Sequence, residues 1–371
     1  MRVDAQLKRS TSPLRAYGQS RLFIFLVAAV SGLWVGARPL SVLNQWDALW
    51  FLEVAREGYP TQIPEAGGHA LQSTLPFFPV FPFLIRIVGW LPAVSHALAG
   101  VAISVTAGAV AVVLLHRLAL RVTDNPAQAS RTVALFSFFP GSMVLSMPYS
   151  EAVMIALAAG CLLALLDERW LAAGLCAALA TATRVSALAL VPACLWQAVR
   201  AIRREGHGGV GLKPLLAPAL APLGTVGFFM FLWIRTGDPL AFIHAQQAWH
   251  TGLGLTRPFV LTGEFLRAPF STAMPAIATI SMVIAAVAGG VLARRRQWPA
   301  VLSVYTFSLL ALCVVSRPDG LRPRDLLTAF PLFLAAADAI EQRWMRVLVP
   351  ASGAVLAVSL VCHNLGTWRQ P

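Results

Sequence analysis

The octapeptide NQWDALWF, Asn44 to Phe51, sets one carboxylate, Asp47, between Trp46 and Trp50 just after the first long apolar run has ended. A carboxylate so placed can serve as a base toward a hydroxyl group. The indoles suit a membrane interface. If Asn44 caps a helix over residues 45–57, a wheel of about 100° per residue puts Glu53, Arg56 and Glu57 on the face of Trp46 and Trp50. Asp47 then shares its side with Phe51, Val54 and Ala55. The spacing predicts a helix lying along the membrane surface, its solvated charges outward and Asp47 turned toward the protein. The structural alternative is an acid that merely favours a helix N-terminus, beside ordinary interfacial aromatics.

Four more stretches carry groups able to bind or polarise a ligand. In PYSEAVM (148–154) Glu151 opens an apolar segment, and in ATATRVSAL (180–188) Arg184 interrupts a long apolar run. A charge inside a bilayer costs about 2.5–3.5 kcal/mol on insertion scales, so both are functional candidates, with a hydrogen-bonded helix break as the alternative. GDPLAFIHAQQAWHTGLGLTRP (237–258) holds His244, Gln246, Gln247, Trp249 and His250. The two histidines lack the i, i+4 spacing that shares one helix face, so no metal site and no cofactor is expected. Gln247 and Trp249, with His250 beside them, suit a sugar's hydroxyl edge and C–H face. SRPDGLRPRDLLTAFP (316–331) holds Arg317, Arg322 and Arg324, and guanidinium forks suit a phosphate. Its alternative is pairing with Asp319 and Asp325.

The elements that position these groups are set by composition. Of 371 residues 57% are hydrophobic and 12% charged, with a mean hydropathy of +0.70, against roughly a quarter charged in soluble domains. This is an all-α polytopic membrane protein, read as a single integral domain over residues 1–371. The apolar runs predict about eleven transmembrane helices: 22–37, 76–92, 97–118, 132–147, 151–166, 170–199, 214–234, 272–293, 299–315, 326–340 and 346–363. Basic residues through Arg21 make residues 1–21 a cytoplasmic N-terminus ahead of an uncleaved first span. Residues 38–75, 235–271 and 316–325 then form three outer loops. Counting spans leaves Arg117, Arg121 and Arg131 outside, against the positive-inside rule, unless a segment within 132–166 is re-entrant.

Net charge is +13, but the basic residues lie between apolar runs without a basic-aromatic patch, so nucleic acid is not an expected partner. Arginine far outnumbers lysine, which points to a GC-rich bacterial genome and a plasma membrane. Cys161, Cys176, Cys194, Cys313 and Cys362 sit in apolar segments and are read as packing residues. A transporter or lipid flippase is the rival function. It would place its polar groups near the membrane midplane rather than in outer loops. A non-catalytic assembly partner is a further alternative.

WDALWFLEVAREGY, FFPVFPFLIR, PYSEA, ATATR and HAQQAW, in that order, resemble the PIG-V type mannosyltransferases, the GPI mannosyltransferase 2 family and its bacterial relatives. The first motif is the most specific, with Trp46, Asp47, Ala48, Phe51, Ala55, Gly58 and Tyr59 in the family's places. The resemblance implies a GT-C glycosyltransferase, with extracytoplasmic loops carrying the active site and a polyprenyl-phosphate sugar as donor, typically polyprenyl-phosphomannose. It implies Asp47 as the catalytic residue and adds Tyr59, Glu151 and Arg184 to the substrate-binding set. The acceptor would be a glycolipid, a glycan or a protein. Val185 and Ser186 follow Arg184 where eukaryotic members commonly carry Ser-Asn-Gly.

Overall fold

A backbone in hydrocarbon must satisfy its own hydrogen bonds, so apolar segments of this length fold as helices. The computed structural model describes residues 13–67, 69–205, 211–249, 273–316 and 320–364. Its helices are α1 (Pro13–Trp34), α2 (Pro39–Leu43), α3 (Asp47–Glu57), α4 (Val80–Val88), α5 (His96–Thr123), α6 (Pro126–Phe138), α7 (Glu151–Leu166) and α8 (Trp170–Thr181). They continue as α9 (Leu190–Glu205), α10 (Leu216–Leu220), α11 (Leu223–Thr236), α12 (Ala241–Gln247), α13 (Ala273–Arg294), α14 (Ala300–Ser316), α15 (Pro323–Thr328), α16 (Pro331–Ala339) and α17 (Gln342–Asn364). Residues 38–75, expected as the first outer loop, also hold a two-residue ribbon, β1 (Glu65–Ala66) against β2 (His69–Ala70). The all-α membrane architecture is borne out. Among the described residues six helices are long and apolar enough to cross a membrane, or seven if one bent pair forms a span, so the expected count of about eleven is not confirmed.

Membrane helices tend to turn small and polar residues inward and apolar ones to lipid. On α1, Tyr17, Ser20, Arg21, Ile24, Ala28, Ser31 and Gly32 are buried, while Leu22, Leu26, Val30 and Leu33 are exposed. The helix is already formed at Pro13, ahead of the expected Leu22, and Arg21, expected in a cytoplasmic tail, lies inside the protein. Its guanidinium uses all five of its N–H groups. Nε donates to Ser20 Oγ at 3.3 Å, Nη1 to Ser142 O and Ser146 Oγ at 2.7 and 2.9 Å, and Nη2 to Ser137 O and Ser142 Oγ at 3.0 Å. All of these acceptors but Ser20 line the end of α6 and the 3-10 turn Pro140–Ser146, where the α-helical ladder is broken. That turn and α7 are bent by 101°, which fits the broken or re-entrant segment foreseen within 132–166.

Two expected spans change. Residues 76–92 yield only α4, nine residues, about 14 Å long and under half the bilayer core. Arg86 fastens α4 to the surface helix α3, donating to Ala55 O and Arg56 O at 2.8 and 2.9 Å. The run 170–199 is not one span either. It rises as α8, breaks at Arg184 and returns as α9 alongside α7, with Cys161 and Cys194 sulfurs 3.8 Å apart and Gln197 Nε2 donating to Leu165 O at 3.4 Å. The break is held from outside: Thr181 Oγ1 donates to Ala221 O at 2.7 Å and Thr225 Oγ1 to Thr181 O at 3.0 Å. Gly224 permits this crossing, since a Cβ there would lie 2.0 Å from Ala178 O.

With 76–92 removed, α5 starts at the end of the protein where α3 lies. Ser104 Oγ donates to Tyr149 O at 3.2 Å, and Tyr149 in turn reaches Gln45. Arg117 and Arg121 are carried to the opposite end, where Arg121 meets Asp167 at 3.6 Å just past α7. A short connection follows: Asp124 closes α5 in the left-handed region and Asn125 Oδ1 caps α6 through Ala127 N and Gln128 N. Arg131 therefore lies early in α6, near the same end. Arg200 and Arg296, which line one cavity, lie there too. These arginines thus share the end of the molecule away from α3.

Candidate active site

α3 begins at Asp47, and Asn44 does not cap it. Asn44 instead closes α2, its Nδ2 donating to Leu40 O at 2.5 Å. The N-cap is Trp46, at φ 57° and ψ −122°, a backbone state that costs a non-glycine residue about 1–3 kcal/mol. The sharp bend leaves Asp47 in the first turn, where orphan N–H groups favour a carboxylate. The predicted faces hold: Ala48, Phe51, Val54 and Ala55 are buried and Glu53, Arg56 and Glu57 exposed.

Asp47 meets a cation from 277 residues away in the chain: Arg324 Nη1 donates to its Oδ2 at 2.6 Å. The same Nη1 stands 3.9 Å from Glu151 Oε1, which is fully buried and paired with Arg184 Nη1 at 3.0 Å. Arg184 also donates to Ser150 Oγ at 3.0 Å. The Arg324 guanidinium lies over the Tyr149 ring, 5.8 Å from its centroid, and its enclosed Nε has no hydrogen-bond acceptor. Arg322 stands at the head of α15, its backbone N–H donating to Asp325 Oδ2 at 3.0 Å. A buried Asp325 thus supports the helix start. Gly141 in the 3-10 turn lets α15 sit against it: a Cβ there would be 2.5 Å from Pro323 O. The segment that Arg21 clamps therefore carries the backbone of Arg324.

Burial works against the charged form of Asp47, but Arg324, helped by Arg184 and Arg322, outweighs it and holds the carboxyl below the usual carboxylate range. Asp47, Glu151 and Asp325 balance the guanidinium groups of Arg184, Arg322 and Arg324, so an anion enters this cluster by taking an arginine from its carboxylate.

One turn along α3 from Asp47, Trp50 meets Trp249 edge to face at 5.0 Å and Phe77 at 6.1 Å, and Phe77 meets Trp249 at 5.6 Å. The two long loops, 38–75 and the described part of 235–271, thus lie together beside the charge cluster. Gln247 ends α12 and is exposed. His244 is engaged by Asp238 at 2.6 Å, and His250, Arg317 and Asp319 lie outside the described residues. Tyr59 is taken up elsewhere. Its hydroxyl donates to Phe77 O at 2.5 Å, its ring packs on Phe228 and Phe231 at 5.5 Å, and Arg235 Nη2 donates to its carbonyl at 3.0 Å. Its contacts fasten the loop after α3 to α11.

The structure therefore brings Asp47, Glu151, Arg184, Arg322 and Arg324 together, with Trp249 nearby. Sequence reasoning missed Tyr149 and Arg21, gave Trp50 only a membrane role and read Phe77 as part of a helix entrance. Tyr149 stands two places before Glu151 in the quoted motif; Arg21 was legible only in the polar stripe of α1.

A family model described as Mannosyltransferase (PIG-V) matches residues 13–202, just over half of the chain. The chain belongs to this family. No curated protein sequence matches it. Among solved structures, this PIG-V family member is similar to ArnT from Cupriavidus metallidurans bound to undecaprenyl phosphate. The two share 15% identity at a TM-score of 0.52, over 94% of this chain and 76% of that one. It is also similar to the apo oligosaccharyltransferase of Archaeoglobus fulgidus, at 12% identity and a TM-score of 0.46, over 93% of this chain and 56% of that one. Family and fold make it a membrane glycosyltransferase of GT-C architecture.

Proposed function

We propose that this enzyme transfers a mannosyl residue from a polyprenyl-phosphate donor to a hydroxyl of a glycolipid, glycan or protein acceptor, with inversion at the anomeric carbon. The observation that carries the reading is the Asp47–Arg324 pair at 2.6 Å, backed by Glu151 and Arg184. The acceptor oxygen attacks the anomeric carbon as its bond to the phosphate oxygen breaks. The acceptor proton passes to Asp47, and the polyprenyl phosphate leaves with its charge balanced by Arg324 and Arg322. A phosphate leaves without a strong acid behind it, so one base suffices. Asp47 is a weak base while Arg324 holds it. An arriving phosphate competes for that guanidinium, so donor binding frees the carboxylate for the acceptor, and the order of binding is donor first. Trp249 with Trp50 and Phe77, and Gln247 and His250, serve the sugar or the acceptor.

The gathering of Arg117, Arg121, Arg200 and Arg296 away from Asp47 supports a cytoplasmic basic end, with an active site facing outside a bacterial plasma membrane. Undecaprenyl phosphate in the ArnT structure supports a lipid phosphate as the donor's carrier.

The test supplies purified protein with labelled polyprenyl-phosphomannose and a membrane extract. Label should move to an acceptor fraction with the wild type and stay on the donor with Asp47→Asn. Transfer from another lipid-phosphate sugar but not this one would overturn the mannose assignment, and full transfer by Asp47→Asn would overturn the base. Cysteines introduced at Glu65 and Gln247 should both react from outside the cell; reaction from opposite faces would sink the proposed orientation.

A further inference from the structure

At the end of the molecule opposite Asp47, the last turns of α9 and the connection between α13 and α14 enclose a cavity of about 310 Å³. Its walls include Trp196, Arg200, Arg296, Gln297 and Trp298. Arg200 lies on α9, ten residues past the start of that helix and so about 15 Å from it, with the Arg184 break farther still, which excludes the cavity from the proposed transfer site. Arg295 beside it is neutralised by Asp338. Among the described residues no carboxylate lines the cavity, and neither Arg200 nor Arg296 takes part in an ion pair.

Two exposed guanidinium groups converging on a concave, acid-free site form a receptor for a phosphate oxygen cluster. The flank of the cavity decides what carries that phosphate. Trp298 is buried in the wall, whereas Trp196 and its neighbour Leu195 are each 48% exposed, and Phe307 on α14 is 43% exposed. Exposed apolar side chains on a membrane helix face lipid tails, and a tryptophan beside arginines marks headgroup depth. A basic pocket between membrane helices with an apolar flank fits a headgroup above its acyl chains.

We propose that this cavity binds the phosphodiester of an anionic phospholipid, Arg200 and Arg296 holding the phosphate, Gln297 the headgroup hydroxyls and Trp196 the upper acyl chain. The site is separate from the transfer reaction, and its occupancy fastens α9 to the α13–α14 connection.

The experiment compares the full chain in nanodiscs of phosphatidylcholine alone and of phosphatidylcholine with phosphatidylglycerol, reading retained lipid by native mass spectrometry and thermal stability. Wild type should retain phosphatidylglycerol and unfold at a higher temperature with it. The double variant Arg200→Gln/Arg296→Gln should bind it roughly twenty-five-fold more weakly, about fivefold for each arginine. The control Arg203→Gln/Arg204→Gln removes the same charge from the same helix outside the cavity and should bind as wild type does. Equal losses in both double variants would reduce the effect to general surface charge and overturn the site. Inorganic phosphate reproducing the full thermal shift would overturn the lipid assignment in favour of a small anion. Trp196→Ala should weaken lipid retention without changing any response to inorganic phosphate, and an unchanged lipid affinity would remove the indole from the site.

Discussion

Arg21 and Arg324 are both buried arginines at broken backbone, and they are solved by opposite chemistry. Arg21 meets neutral serine and carbonyl oxygens with all five donors and, among the described residues, no carboxylate. Arg324 meets Asp47 and Glu151 and keeps an enclosed Nε without an acceptor. A satisfied fork has nothing left to offer a ligand and can only hold structure. An arginine engaged by a carboxylate can exchange that partner for a phosphate, which leaves the carboxylate free to act. Burial and charge are alike in the two; the partners separate structure from chemistry.

The contrast predicts different failures. The largest effect should come from Asp47→Asn, a loss of about 10²–10⁴ in kcat with the melting temperature held near wild type. Loss of folding instead would mean that the pair is structural. Arg324→Gln comes next, with kcat/KM lower by about 10²–10³ and a changed pH profile. In the wild type Asp47 is held below the usual carboxylate range, so its stabilising charge is present above that range and is lost only as pH falls through the depressed value. Without Arg324, burial dominates and the acid limb of the rate profile should move to higher pH. A limb that stays put would show that Asp47 is not the group being titrated.

Arg21→Lys should do the reverse of Arg324→Gln. Losing the fork strands serine and carbonyl acceptors at about 1–3 kcal/mol, so stability falls, while the pH profile and KM of the folded fraction stay as in wild type. A shifted profile would draw Arg21 into the chemistry and erase the distinction. The smallest effect should be Tyr149→Phe, which gives up a 3.4 Å bond to Gln45 O and a contact with the Asp47 backbone but leaves the ring over Arg324. A stability change beyond about 1 kcal/mol would mean that the hydroxyl supports the cluster.

Local features of this fold were legible in the sequence. The face of α3 that buries Phe51 and Ala55 follows from periodicity, and Glu151 opens a helix because a lone charge marks the edge of an apolar run. Features decided by distant contacts were not. An apolar run such as 76–92 reads as a span until Arg86 is seen fastened to α3. The reversal at Arg184 leaves no trace in hydropathy, since both legs are equally apolar. Arg21 was misread because a basic residue ahead of an apolar run is normally a topology signal, whereas its place on a buried stripe with Tyr17, Ser20 and Ile24 needed the inside-out pattern of a membrane helix. Nor does anything local announce that Asp47 and Arg324, 277 residues apart, form one bond.

The turn at Arg184 bears on how the chain is made. α8 and α9 enter the membrane as a hairpin whose tip carries a guanidinium, and a charge passing through the bilayer core costs about 2.5–3.5 kcal/mol. Glu151, its partner at 3.0 Å, lies earlier in the chain and leaves the ribosome first. Synthesis order thus supplies the counter-charge before the charge. We expect Glu151→Gln to lower the yield of inserted protein, and Glu151→Gln/Arg184→Gln to recover part of it, which a glycosylation-site reporter placed after α9 would read directly.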